Sequence, residues 1–113
     1  MSPTTYDFKY YQGDSFPFLI RPGAKSGEPF DLSGYSATLD IAERRGNSST
    51  FRTRLVPVVD SVENTILCNI PPATGALLSS GTTYYYDVTI TKGALVYTLL
   101  TGTITVTDAV FGV

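Results

Sequence analysis

Apolar and polar residues alternate with a period of two along almost the whole of this 113-residue chain, and helical periodicity is nearly absent. A period of two is typical of strands that bury one face and expose the other. The alternation is clearest in residues 35–41 and 84–90, where every second residue is apolar. The chain is therefore predicted to be all-β.

About seven strands are predicted, separated by turns rich in Gly, Pro, Asn and Asp. This number, in a chain close to the ~100-residue size of an immunoglobulin-like domain, predicts an antiparallel β-sandwich, with a small closed barrel as the alternative. Residues 1–113 are predicted to form one domain, because no segment is long enough to fold separately beside the rest. At most one short helical turn is predicted, near residues 72–80, with Gly81 placed to end it.

The residue types also predict the position of one strand and the form of two connections. Pro17 cannot donate a ladder hydrogen bond, so its strand should lie at a sheet edge or carry a bulge. Residues 44–49 are predicted to form a hairpin turn. The strands at residues 50–56 and 65–70 are predicted to be joined by a connection without a strand of its own.

Histidine is absent from the chain, which excludes the common nucleophile and general-base systems and the usual zinc ligand sets. The ten carboxylates are scattered, without the cluster that calcium would need. The single cysteine, Cys68, alternates with Ile66 and Ile70 and is predicted to be a buried structural thiol. We expect no enzymatic activity and no cofactor.

The charge balance limits the classes of partner. Eight basic and ten acidic residues give a net charge of −2, which predicts neither nucleic-acid nor membrane binding. The start of the chain has no basic region followed by an apolar run, so we expect the protein to be made and folded in the cytoplasm without a membrane anchor. Charged residues are only 16% of the chain, against a typical ~25%, and we expect partners to cover part of the surface.

One predicted hairpin holds four of the eight basic residues: Arg44, Arg45, Arg52 and Arg54. Two interpretations are open. The arginines could be solvated charges that protect a sheet edge, which is the favoured interpretation, or a docking patch for an acidic partner.

Two further segments are candidate interfaces. Tyr85 is the middle of three consecutive tyrosines, so alternation points it away from the core, and tyrosine is enriched at protein interfaces. The apolar tail residues Val110, Phe111 and Val113 form either one more core strand or an anchor in a neighbouring protein.

Five motifs occur in a characteristic order: Gly13-Asp14, Asp31-Leu32-Ser33-Gly34-Tyr35, Ile70-Pro71-Pro72 with Leu77 and Gly81, Tyr84-Tyr85-Tyr86-Asp87-Val88, and Gly102-Thr103-Ile104-Thr105-Val106. Together they resemble the immunoglobulin-like module at the N-terminus of baseplate upper proteins and related tail and fibre proteins of tailed bacteriophages. The resemblance implies structural roles in turns, and no active site, for Gly13, Asp14, Asp31, Leu32, Gly34 and Gly81.

The resemblance implies a structural protein located in the virion, an adaptor of the tail, baseplate or fibre-attachment region. Its expected partners are other virion proteins in several copies, and a homo-oligomer is compatible with this role. The family module commonly continues into a coiled coil or receptor-binding region, whereas this sequence ends at Val113, so we expect an adaptor or a capsid decoration protein rather than a fibre base. A host-surface or carbohydrate-binding module, with exposed tyrosines as stacking platforms, is a further alternative.

Overall fold

The computed structural model describes residues 3–23, 30–44 and 52–107, which form two β-sheets and one short helix. The elements in chain order are β1 (Thr4–Thr5), β2 (Phe8–Tyr11), β3 (Phe16–Ile20), β4 (Ser36–Ala42), β5 (Arg52–Leu55), β6 (Val58–Asp60), β7 (Thr65–Ile70), α1 (Pro72–Gly75), β8 (Thr83–Lys92) and β9 (Leu95–Thr107).

The large sheet has the strand order β1-β9-β8-β4-β5, and β2 also pairs with β9. The small sheet has the order β3-β7-β6, which places β3 and its Pro17 at an edge as predicted. The prediction of an all-β sandwich is confirmed. One departure is that β1 and β2 pair parallel with β9. The turn after β2 sends β3 into the small sheet, so β2 pairs with the last strand instead of its sequence neighbour.

The core lies between the two sheets and is lined by the alternating positions of each strand. Tyr84, Tyr86, Val88 and Ile90 of β8 are all buried, as the alternation predicted. They pack in one cluster with buried residues of the small sheet, among them Cys68. The described residues therefore share a single core.

Two predicted elements differ in the structure. β6 was wrongly predicted to be a plain connection, because three residues are too few to show alternation and the strand exists through its pairing with β7. The helix ends at Gly75 rather than at Gly81. Gly81 instead lies in the turn that leads into β8, where its amide donates to the Val106 carbonyl oxygen at 2.8 Å.

The turn residues predicted from the resemblance lie at the ends of strands. Gly13, Gly34 and Gly81 have positive φ angles of 85°, 80° and 76°. The Asp14 amide donates to the Tyr11 carbonyl oxygen at 3.1 Å. The Asp31 carboxylate accepts the Ser33 amide at 3.0 Å, and this hydrogen bond lowers the pKa of Asp31.

Leu32 has two roles in the turn before β4. Its carbonyl oxygen accepts the Tyr35 amide at 3.0 Å, and its side chain is fully buried in the core. The predicted hairpin turn at residues 44–49 lies, apart from Arg44, outside the described residues.

Candidate interaction surface

Tyr85 lies on the outer face of the large sheet, because its neighbours Tyr84 and Tyr86 occupy the core. The register places Ala42 of β4 on one side of Tyr85 and Thr103 of β9 on the other. Both neighbours are small, and the Tyr85 side chain is 37% exposed. An aromatic ring is thus accessible in the middle of a sheet face.

A hydrogen-bonded row of side chains crosses the same face two residues further along the strands. Arg54 donates to both oxygens of Asp40, through Nε at 2.6 Å and a terminal nitrogen at 3.1 Å. This contact raises the pKa of the Arg54 guanidinium. Asp40 is paired with Asp87, which accepts the Thr101 hydroxyl at 2.5 Å. Two carboxylates can therefore lie side by side, because each has a hydrogen-bond donor of its own.

A hollow of about 520 Å³ lies on this face, and we call it the Tyr85 hollow. Its lining includes Tyr85, Arg44, Arg52 and Arg54. The structure thus brings together residues that the sequence analysis treated as two separate candidates. The reason is that Ala42 pairs with Arg52 on one side and with Tyr85 on the other, so β4 holds β5 and β8 next to each other.

The remaining predicted interface residues, Arg45, Val110, Phe111 and Val113, lie outside the described residues. Arg54 lies on β5, the last strand of the described large sheet, and forms an ion pair with Asp40 of β4. This placement fits the interpretation of the arginines as edge charges. Arg44 and Arg52 line the Tyr85 hollow, and this placement fits the interpretation as a docking patch.

The chemistry available in the Tyr85 hollow is recognition by stacking, charge and hydrogen bonding. The ring can stack on a flat apolar group, and guanidinium groups bind carboxylate or phosphate oxygens. No group of three or more potential metal ligands occurs among the described residues. None of the helices in the described ranges is long and apolar enough to cross a membrane.

A second surface, on the outer face of the small sheet, was missed by the sequence analysis. Leu19 pairs with Leu67, and Leu67 pairs with Val58, so the three residues form a continuous row across β3, β7 and β6. Their exposed fractions are 45%, 46% and 63%. We call this row the Leu67 face. In the sequence, each of these residues is a single apolar residue at an outward position of its strand. Only the strand register shows that the three are neighbours.

Cys68 lies directly behind the Leu67 face and points into the core, as predicted. Its side chain has no exposed surface, and burial raises the pKa of the thiol to about 12. A thiol with this pKa stays protonated at neutral pH, which makes it a poor nucleophile.

No model of a known protein family matches this chain, and no curated protein sequence matches it. The resemblance to phage tail modules therefore depends on the order and spacing of the motifs in this sequence.

Proposed function

We propose that this chain is a non-enzymatic structural protein of a bacteriophage virion, an adaptor in the tail, baseplate or fibre-attachment region that binds neighbouring virion proteins. The observation that carries the proposal is the Leu67 face, a row of three exposed aliphatic side chains across the small sheet. Burial of apolar surface by a partner contributes about 25 cal/mol per Å². A row of three aliphatic side chains is therefore suited to protein contacts.

The rigidity of the module supports the same proposal. Both candidate surfaces lie on strands, apart from Arg44 in the Tyr85 hollow, and the strands share one buried core. Side chains on strands are held in fixed relative positions, as an adaptor between two partners requires. The assignment to a virion comes from the sequence motifs.

The test of the proposal is mass spectrometry of purified particles from a lysate of the host that carries the gene. We expect the protein to be present at a small multiple of three or six copies per particle. Its absence from the particles would rule out a virion role. Hundreds of copies would instead support the alternative of a capsid decoration protein.

The Tyr85 hollow favours a second candidate function, the binding of host-surface carbohydrate. An exposed tyrosine ring can stack on a sugar face, while the arginines beside it bind acidic groups. Binding on a glycan array should be lost in Tyr85→Ala and kept in Tyr11→Ala, because Tyr11 is also exposed but lies outside the hollow. No binding by the unmodified protein at millimolar sugar would count against this function.

A further inference from the structure

The Leu67 face has a charged residue near each of two corners. Arg21 directly follows Ile20, the last residue of β3, which pairs with Ile66, so the register continued by one residue would bring Arg21 next to Thr65. Asp60 pairs with Thr65 from the other side. Its Oδ1 accepts the Val62 and Glu63 amides at 3.0 and 3.1 Å, so an ion pair with a second copy would use Oδ2. Arg21 and Asp60 therefore lie on one row, at opposite edges of the small sheet, and the distance across the three strands is about 10 Å.

These charges make the face complementary to itself. A second copy can be turned by 180° about an axis that runs between two such faces, parallel to their strands. The turn exchanges the two edges of the sheet and keeps each residue at its height along the strands. Strand β7 then faces β7 of the second copy, and β3 faces β6.

Each residue of the face meets a suitable partner in this arrangement. Leu67 faces Leu67 of the second copy at the axis, and Leu19 faces Val58. Arg21 of each copy faces Asp60 of the other, which forms two ion pairs at the rim. A turn about the perpendicular axis in the same plane would instead place Arg21 over Pro17, without a charge match.

We propose that the Leu67 face is a homodimer interface, in which two copies pack their small sheets face to face about a twofold axis parallel to the strands. An interface of this kind is isologous, because the same patch serves both copies. The occupant is a second copy of this chain, since both the apolar row and the two charges are matched by the face itself. The inference rests on the same face as the proposed function and names the partner there as a second copy. It is tested on the purified chain, so it can fail while the virion role stands.

The size of the face predicts a weak dimer. The five residues of β3 extend about 17 Å, and the three strands are about 10 Å across. A standard interface buries about 800 Å² on each partner, which is more than this face offers, so we expect a dissociation constant of about 0.1 mM. Such a dimer is populated at high protein concentration.

Sedimentation equilibrium over a concentration series tests the dimer. From about 10 µM to about 1 mM, we expect the mean mass to rise from the monomer mass of 12.2 kDa toward twice that value. Leu67→Arg should keep the protein monomeric, because it places two like charges at the axis. The matched control is Leu95→Arg, since Leu95 is equally exposed, at 48%, but lies on the large sheet.

The charge match is tested separately by Arg21→Glu, which turns both rim pairs into repulsive contacts. We expect the dissociation constant to rise about tenfold. Lys9→Glu makes the same change in net charge on the large sheet and should have no effect on the dissociation constant. Circular dichroism checks that each variant is folded.

Cross-linking gives a second measurement that does not require loss of the dimer. Stacked sheets lie about 10 Å apart, so Leu67→Cys should be joined to its copy by a bismaleimide with a spacer of about 8 Å. The unmodified protein is a background control, because Cys68 is buried. Leu95→Cys should cross-link far more slowly.

Two results would overturn the proposal. One is an unmodified protein that stays monomeric over the whole concentration series. The other is self-association that Leu67→Arg and Leu95→Arg weaken equally, because the contact would then lie elsewhere on the surface. Neither result bears on the presence of the protein in virions.

Discussion

At the scale of single residues, the Tyr86 hydroxyl connects the core to the start of the chain. It donates to the Tyr6 carbonyl oxygen at 2.6 Å, and the Tyr86 ring packs 5.2 Å from Phe8. Tyr86→Phe keeps the ring and removes the hydrogen bond, so the free energy of unfolding should fall by about 1–2 kcal/mol. Urea denaturation measures the change.

The control for this substitution is Tyr11→Phe, because Tyr11 is largely exposed. We expect it to change the free energy of unfolding by less than about 0.5 kcal/mol. If the two variants were equally stable, the Tyr86 hydroxyl would have no role in holding the N-terminal segment.

Cys68 should make the protein less stable at alkaline pH. The thiol ionises with a pKa of about 12 in the folded protein, against an ordinary value of 9.0 that applies to the unfolded chain. Because the folded-state pKa is the higher one, the contribution to stability is complete below pH 9 and is lost as the pH rises toward 12. The free energy of unfolding should fall by up to about 1.4 kcal/mol per pH unit in this window.

The matched variant is Cys68→Ala, which removes the thiol and keeps a small apolar side chain. It should be less stable than the unmodified protein at pH 8, because it leaves a cavity, but its stability should fall less steeply above pH 9. Urea denaturation at pH 8, 9, 10 and 11 compares the slopes. Parallel slopes in the two proteins would contradict the prediction.

At the scale of elements, Gly102 determines how closely the N-terminal segment approaches β9. A Cβ at this position would overlap the Tyr6 carbonyl oxygen and would lie 3.1 Å from the Asp7 carboxylate. That carboxylate accepts both the amide and the hydroxyl of Thr103, each at 3.0 Å. The absence of a side chain at Gly102 thus allows the segment between β1 and β2 to lie against the sheet.

Gly102→Ala should therefore push this segment outward and lower the free energy of unfolding by about 1–3 kcal/mol. The Tyr6 amide, which donates to the Thr101 carbonyl oxygen at 2.9 Å, should exchange with solvent faster. Gly23→Ala is the control, because a Cβ there meets nothing within 4 Å. Equal stability and equal exchange in both variants would show that the close approach is not needed.

At the scale of the whole molecule, the two candidate surfaces lie on opposite sides of the sandwich. The Tyr85 hollow is on the outer face of the large sheet and the Leu67 face on the outer face of the small one, with the core between them. One module can therefore contact two partners at once. Sites separated in this way, with no shared contacts, usually behave independently.

Tyr85→Ala should accordingly leave self-association unchanged, and Leu67→Arg should leave binding at the Tyr85 hollow unchanged. The stability changes of the double variant should equal the sum of the single changes within about 0.5 kcal/mol. For the two single variants and the double variant, sedimentation measures self-association, the glycan array measures binding at the hollow, and urea denaturation measures stability. A larger difference from the sum would mean that the two faces are coupled through the core.

Alternation along the chain was enough to predict the all-β class and the inward face of the long strands, such as β8 with its buried Tyr84 and Tyr86. These features depend on alternation between adjacent residues, which is a local property of a strand. The same property indicated that Tyr85 points outward. It could not reveal β6, which is too short to show a pattern.

Which outward residues come into contact depends on how the strands pair in the folded protein. Leu19 and Leu67 are far apart in the chain, and so are Arg52 and Tyr85, yet each pair is brought together by strand register. Register is set by the burial of both inner faces and by the geometry of the turns, neither of which can be read from one segment. The packing of the inner faces therefore also determines which residues are neighbours on the outer faces.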